Sequence, residues 1–493
     1  MRSQITSPFV YLCALFFGQS LLHAQVAVEV EIFETQTPDD DYLTWSPIKA
    51  RIRLQAPQAI DIAIVLTNDA ATDRPDGGDL VFSSIAPVAD NWPSAEELPL
   101  TLIKDRTWSP FFIAGKFGAG QIGKASTEDK DAVLDVHQGT ASGTKIGSHA
   151  VMVRVRKNAL SLTDGERTRY LKAIRDLRQN GQYAVFQQIH AANPLAANPD
   201  AHGGPAFIPW HRVYLLAYER SLQAIDPSVS LPYWRFDEPA PAVFSDDFMG
   251  ANSVSPSLNP QNEPPVPVEF ATSNHLFGWT TDLLPLSPIP AAGTQPLRRA
   301  PADRSLVPSR SGSLIRNQMS TIQPLSYSTF LTLEPNPHGF AHIWAGGNNG
   351  SLGRIPTAVQ DPLFFMLHCN VDRLWAAWQR KLPPNAAANG RRYEDKLSGY
   401  FPQIPRKFPG TGTIHIGHYA DDTMWPWNGI TGMGGASPGQ RPSTAPGGAF
   451  TPLSHFAPSV TAPNPTSVLD YQGRIKFLSN QGVGYDDDPF KAE

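Results

Sequence analysis

The chain has 493 residues, 41% hydrophobic, 10% aromatic and 17% charged, enough apolar content for a sizeable core spread over about two or three domains. A formal net charge of −5 with no basic stripe leaves no footprint for nucleic acid. Two cysteines, Cys13 and Cys369, are too few for a disulfide framework.

The first residues, MRSQITSPFVYLCALFFGQSLLHA, set one Arg before an apolar run from Phe9 to Leu22 that closes on Ala24. This is the layout of a signal peptide over 1–24, and it points to a secreted or periplasmic protein. Leu22 fits the small-residue rule before the cut poorly, so a short N-terminal membrane anchor is the alternative. No other segment is apolar enough to span a bilayer, and no membrane partner is expected beyond the signal peptide.

Residues 25–152 alternate with the period of strands. VAVEVEIF, KARIRLQ, DIAIVLT, DLVFSS, LPLTLI and AVMVRVR are short, β-branched and separated by turn residues, which predicts an all-β, sandwich-like domain. His137 and His149 stand alone in it and read as structural or surface residues.

The period changes near residue 153. Thr163 and Asp164 cap a predicted helix whose stripe is Tyr170, Leu171, Ile174 and Leu177, ended by Gly181. A second helix puts Tyr183, Phe186 and His190 on one face. A third is expected to begin at Pro209, with His211, Leu215, Tyr218 and Leu222 inward. Residues 239–333 are rich in Pro, Ser and Asn and read as long loops. The expected fold is therefore multidomain: a mainly α-helical core over 153–400, preceded by the β domain and followed by a Pro/Gly-rich extension over 401–493 packed on the core.

Histidines mark the chemistry. HGGPAFIPWHR carries His202 and His211, one beside a Gly-Gly-Pro turn and one at a helix start. NPHGFAHIWAGG sets His338 and His342 at i and i+4, so both imidazoles face one side of a short helix that Pro337 starts and Gly346-Gly347 end. DPLFFMLHCNVDRLW has Asp361 as cap, Pro362 as first helical residue, and a stripe of His368, Val371, Asp372 and Trp375. Asp372 is costly to bury there unless an arginine or a ligand imidazole pairs with it. A lone i,i+4 pair is often a solvent-facing accident, and a lone His190 is as well explained as a core residue. Six histidines on inward faces or tight turns are harder to dismiss. They form two sets, His190, His202, His211 and His338, His342, His368, with no carboxylate or thiolate among them. That donor set suits copper or zinc, with copper ahead, and suggests two metals clamped in a four-helix-bundle site.

These motifs resemble those of the tyrosinases and catechol oxidases, the polyphenol oxidases with type-3 binuclear copper, to which haemocyanins are related. His202, Phe207, Trp210, His211, Arg212 and Glu219 match the first copper motif; Asp361, Pro362, Phe364, His368, Asp372 and Arg373 match the second. The resemblance covers about residues 150–400 and implies two copper ions, each held by one histidine set, acting with dioxygen on a small phenolic substrate. It implies roles for three further residues: Glu334 holding a water that deprotonates a phenol, Gly339 where efficient monophenol hydroxylases carry Asn, and Ile355 as an apolar gate over the first copper. For Glu334 the alternative is a solvated carboxylate at a helix start. Three positions depart from the family pattern. Asp200 stands where many members have a thioether cysteine, Leu367 where many have a second histidine, and LPYWRF around Trp234 replaces an aromatic-acidic-aromatic stretch. The expected function is oxidation of o-diphenols to o-quinones with dioxygen reduced to water, on small neutral aromatics, and weak monophenol hydroxylation. Full monophenolase activity, reversible oxygen carriage and a vestigial site are the alternatives.

Overall fold

The computed structural model describes residues 26–32, 41–70, 77–87, 92–118, 121–192, 201–252, 254–257, 259–281, 295–381, 424–427, 463–472 and 482–487. The signal peptide expected over 1–24, Asp200 and most of the extension from 401 lie outside the described residues.

The N-terminal region is β-rich. Its strands are β1 Val28–Ile32, β2 Tyr42–Leu43, β3 Ile48–Leu54, β4 Ile62–Ala70, β5 Leu80–Ser83, β6 Glu97–Leu102, β7 Ser109–Gly115, β8 Phe117–Gly118, β9 Gln121–Ile122, β10 Ala132–Gln138 and β11 Lys145–Val153. One sheet runs β1-β3-β7-β5 and the other β2-β11-β10-β4-β6, while β8 and β9 form a hairpin. Strand β3 shows why the alternation was readable. Ile48, Ala50, Ile52 and Leu54 are buried, while Arg51 and Arg53 turn outward to Glu31 and Glu29 of β1 and lie over the Trp108 ring. The segments read from the sequence include neither β7 nor β10, SPFFIAG and AVLDVHQ. Both carry apolar residues on consecutive positions, Phe111–Ala114 and Ala132–Leu134, so neither shows the strict alternation of β3. His149 pairs with Asp41 at 2.8 Å and His137 Nδ1 meets the Gly143 carbonyl at 3.0 Å, in keeping with structural roles.

The rest is built on a helical core, with short strands and loops between α3 and α6: α1 Asp164–Gln179, α2 Gln182–Ala192, α3 Phe207–Gln223, α4 Gln318–Thr321, α5 Tyr327–Phe330, α6 Phe340–Gly346 and α7 Leu363–Lys381. Thr163 and Glu166 close a reciprocal capping box on α1, and Gly181 at φ +83° follows its end. Helix α3 starts at Phe207, two residues before the predicted Pro209. Its first turn leaves the prolyl nitrogen unpaired at no cost, so Pro209 fits there as well as at the first position. Pro337 does not open a regular helix. It lies inside a wide π-type turn, Glu334–Gly339, which α6 continues to Gly346, with Gly347 at φ +75° ending it. Helix α7 begins at Leu363, whose N–H bonds the Asp361 carboxylate as the cap reading requires.

Helix α1 packs on α2 and α3, and α3 packs on α7. A buried charge cluster ties α3 to α7. Asp372 accepts from Arg212 and from Arg156 at 2.9 Å, and Arg156 also grips Glu219 at 2.7 Å. Burial alone would raise the Glu219 carboxyl, but Arg156 and the Leu231 N–H outweigh it and hold it below the usual 4.5. Tyr485 reaches in from near the chain end. Its hydroxyl donates to Asp372 at 2.6 Å, and residues 484–486 flank Arg156 with backbone hydrogen bonds. Trp45 Nε1 of the β region donates to the Tyr485 carbonyl at 2.9 Å. The apolar residues form two separate clusters, one among residues 28–155 and one from Ala159 to Tyr485.

Candidate metal centre

Six segments, each carrying one, bring the six histidines together. His190 lies in the last turn of α2, and His211 one turn into α3. His202 sits in the turn before α3, beside Gly203 at φ +71°. The π-type turn and α6 carry His338 and His342, and α7 carries His368. His190, His202 and His211 have ring centroids 5.0, 5.4 and 5.9 Å apart. For His338, His342 and His368 the separations are 4.5, 4.7 and 5.2 Å. In each triad one ligand atom per residue lies within 4.8 Å of the others, so each is able to hold a metal ion. The triads touch where the His211 and His368 rings stack at 4.1 Å and 13°.

Second partners fix the tautomers. A carbonyl only accepts, so Nδ1 carries the proton where it meets one. His211 Nδ1–H donates to the Phe207 carbonyl, His338 Nδ1–H to that of Glu334 and His342 Nδ1–H to that of Leu352, each at 2.8 Å. Their Nε2 lone pairs are left facing the centre. His368 Nε2 lies 3.1 Å from both His338 Nε2 and His342 Nε2. His211 Nε2 has no hydrogen-bond partner although it is buried, and the His190 ring nitrogens find no well-formed one. Converging lone pairs without a donor between them are a cradle for a cation, and neutral nitrogen donors suit copper. Burial pushes all six imidazoles down, His202 to about 3 and His342 to about 4, so all are neutral near pH 7.

A cavity of about 460 Å³ opens onto both triads. Its wall holds all three of the other expected site residues, Glu334, Gly339 and Ile355. Glu334 is half-buried. It accepts the Gly203 N–H at 2.8 Å, and burial raises it to about 7. Ile355 is 47% exposed. Phe364 stacks on His368 at 4.2 Å, and Phe207 lies between His211 and His338 at 4.8 and 4.9 Å. Leu367 is buried in the core, and Trp234 packs between Phe244 and Trp344 behind α6. Sequence reasoning missed Arg310 and Phe340 in the wall, and the Leu352 and Gly203 backbone groups that fix His342 and Glu334.

The family model for the common central domain of tyrosinase matches residues 180–381, which span all six histidines. Grixazone synthase of Streptomyces griseus is 31% identical over 280 residues, 47% of this chain and 86% of that protein. The chain belongs to the tyrosinase family. A haemocyanin from Enteroctopus dofleini is also similar, 28% identical over 250 residues, 48% of this chain and 8% of that protein. A copper-bound tyrosinase from Aspergillus oryzae aligns over 50% of this chain and 85% of its own, at 17% identity and a TM-score of 0.29. Members of the tyrosinase family are copper oxidoreductases that act with dioxygen on phenols, and two copper ions are the family's cofactor. The donor set of this chain fits that cofactor.

Proposed function

We propose that the protein oxidises o-diphenols to o-quinones while dioxygen is reduced to water, and that it hydroxylates monophenols only weakly. The observation that carries this reading is two triads of neutral imidazoles opening onto one aromatic-walled cavity. His190, His202 and His211 would hold one copper, and His338, His342 and His368 the other. Bound there, copper supplies dioxygen binding and the path for electrons from phenol to oxygen. Each diphenol gives up two electrons and two protons, so two diphenols are consumed per dioxygen and two waters form.

The residues around the metals hold and exclude. Phe364 and Phe207 pack the imidazoles against turning, and Ile355 forms the apolar gate beside the first triad. Glu334, steadied by the Gly203 N–H, takes the phenolic proton directly or through a water. Gly339 adds no side-chain amide to orient that water, which disfavours monophenols. A cavity with room for a phenol favours an enzyme over an oxygen carrier, which would bind oxygen without consuming catechol.

Gly339→Asn tests the substrate reading. Gly339 has ordinary helical dihedrals, φ −60° and ψ −32°, and an added Cβ meets only the Glu334 carbonyl, at 3.3 Å. Asn is expected to raise the ratio of tyrosine hydroxylation to catechol oxidation by on the order of tenfold, within the roughly hundredfold span of general-base help. Steady-state assays on both substrates decide it. A wild type that hydroxylates tyrosine as fast as it oxidises catechol, or an Asn variant with an unmoved ratio, refutes it.

We also take the protein to be exported, secreted or periplasmic, on the signal-peptide layout of residues 1–24. Among the described residues no helix is long and apolar enough to cross a membrane. We divide the chain into a β-sandwich over 25–152, a helical domain over 153–400 with α2, α3, α6 and α7 as its four-helix bundle, and an extension over 401–493 packed on it. The two separate apolar clusters support that division. A chain shortened to begin at Arg154 should fold and take up copper, with a lowered Tm because Trp45 no longer covers Tyr485. An insoluble, metal-free product would mean that the regions share one core.

A further inference from the structure

The cavity wall carries one cation with no work assigned to it. Arg310 lines the cavity and is exposed, which places it at the mouth. Its guanidinium lies 5.7 Å above the Phe340 ring centroid, and among the described residues no carboxylate pairs with it. Most arginines of the helical region are committed elsewhere, as Arg299 is to Asp361 and Arg373 to Asp487. Among the described residues of the wall, Glu334, already held by Gly203, is the other ionisable group apart from the histidines.

Arg310 is also held in a built position. Ser309–Arg310 pairs with Ser313–Leu314 in a two-residue hairpin. Ser311 and Gly312 at its tip both have positive φ, 50° and 79°, the requirement of a tight type I′ turn. The hairpin packs on α6, which carries His342. Just past it, the Arg316 N–H donates to Asn336 Oδ1 at 2.8 Å, tying it to the turn that bears Glu334 and His338. The Ile315 N–H closes back on the Pro308 carbonyl at 2.9 Å. The cation is thus fixed relative to the second triad by two independent attachments.

We infer that Arg310 selects o-diphenols carrying a carboxylate on the ring substituent, where composition alone suggested neutral aromatics. The inference rests on the diphenol-oxidase reading above. A catechol whose hydroxyls face the triads turns its substituent to the mouth. There a guanidinium forks onto a carboxylate through two parallel N–H donors, while Phe340 beneath it accepts the apolar linker. A cationic substituent meets repulsion at the same place.

The test is steady-state oxidation of hydrocaffeate, methylcatechol and dopamine by the copper-loaded protein. The quantity read is the kcat/KM ratio of the anionic to the neutral catechol. Arg310→Gln is expected to lower that ratio roughly fivefold, the upper range for a charge pair at an exposed site. Arg310→Lys should retain most of it. Arg310→Glu should invert the order so that dopamine overtakes hydrocaffeate, a result that loss of packing alone does not produce. In the wild type the ratio should fall as salt is raised, because an exposed pair is screened. A ratio unmoved in both Arg310→Gln and Arg310→Glu, with methylcatechol still oxidised, overturns this inference alone. A wild type that oxidises none of the three overturns the diphenol reading and this inference with it.

Discussion

His368→Ala should empty both triads of copper, whereas His342→Ala should empty only one. His368 is the hinge of the centre. Its Nε2 lies 3.1 Å from each of the other two Nε2 atoms of its triad, while its ring stacks on His211 at 4.1 Å and on Phe364 at 4.2 Å. Removing it deletes a ligand and also opens a void against the partner triad, into which His211 and Phe364 relax. His342 stacks on no ring of the first triad, and the Leu352 carbonyl orients it independently. Metal analysis of purified variants should give two coppers per chain in the wild type, one in His342→Ala and less than one in His368→Ala. Catechol oxidation should fall to background in both, since the reaction needs the pair. Equal copper in the two variants would remove the coupling argument, and undiminished oxidation in either would remove the site assignment.

Asp372→Ala should cost the fold about 3–5 kcal/mol, the usual penalty for stripping one partner from a buried ion cluster. Asp372 is the anion that Arg212 and Arg156 share, and it accepts the Tyr485 hydroxyl at 2.6 Å. All of these side chains are buried. Without the carboxylate, Arg212 keeps only the Gln379 side chain and the Asp372 and Val468 carbonyls, and two guanidinium charges face one remaining acid, Glu219. The melting temperature should drop by on the order of 10 °C. Asp372→Asn should fall between, because the amide oxygen still accepts while the charge is gone. Thermal unfolding followed by circular dichroism reads this directly, and an alanine variant melting with the wild type would show that the cluster contributes little.

Much of this architecture was legible because its signals are periodic or chemical. The helix cap at Thr163, the alternation of Ile48–Leu54 and the i,i+4 pair His338/His342 each follow from side-chain chemistry at fixed spacing. The cost of burying Asp372 implied a partner, and the partner is arginine. What stayed hidden has physical reasons as well. Strands β7 and β10 carry apolar residues on consecutive positions, Phe111–Ala114 and Ala132–Leu134, which blurs their period. The π-type turn at Glu334–Gly339 departs from the helix that Pro337 suggested because Asn336, at φ −151° and ψ 115°, is extended. Backbone groups such as the Leu352 carbonyl and the Gly203 N–H carry no residue-type signature at all. Arg310 gave no signal because one arginine in a loop-rich stretch looks like any other until a hairpin turns it to the cavity.

The position of Tyr485 bears on how quickly the helical core can assemble. Arg156 and the Tyr485 hydroxyl that joins it lie 329 residues apart, and Asp372 lies 113 residues before that hydroxyl. The buried charges of α3 and α7 are fully paired only once both of these long loops have closed, an entropic cost met before the contacts repay it. Refolding of the helical core should therefore be slow, limited by chain closure rather than by helix formation.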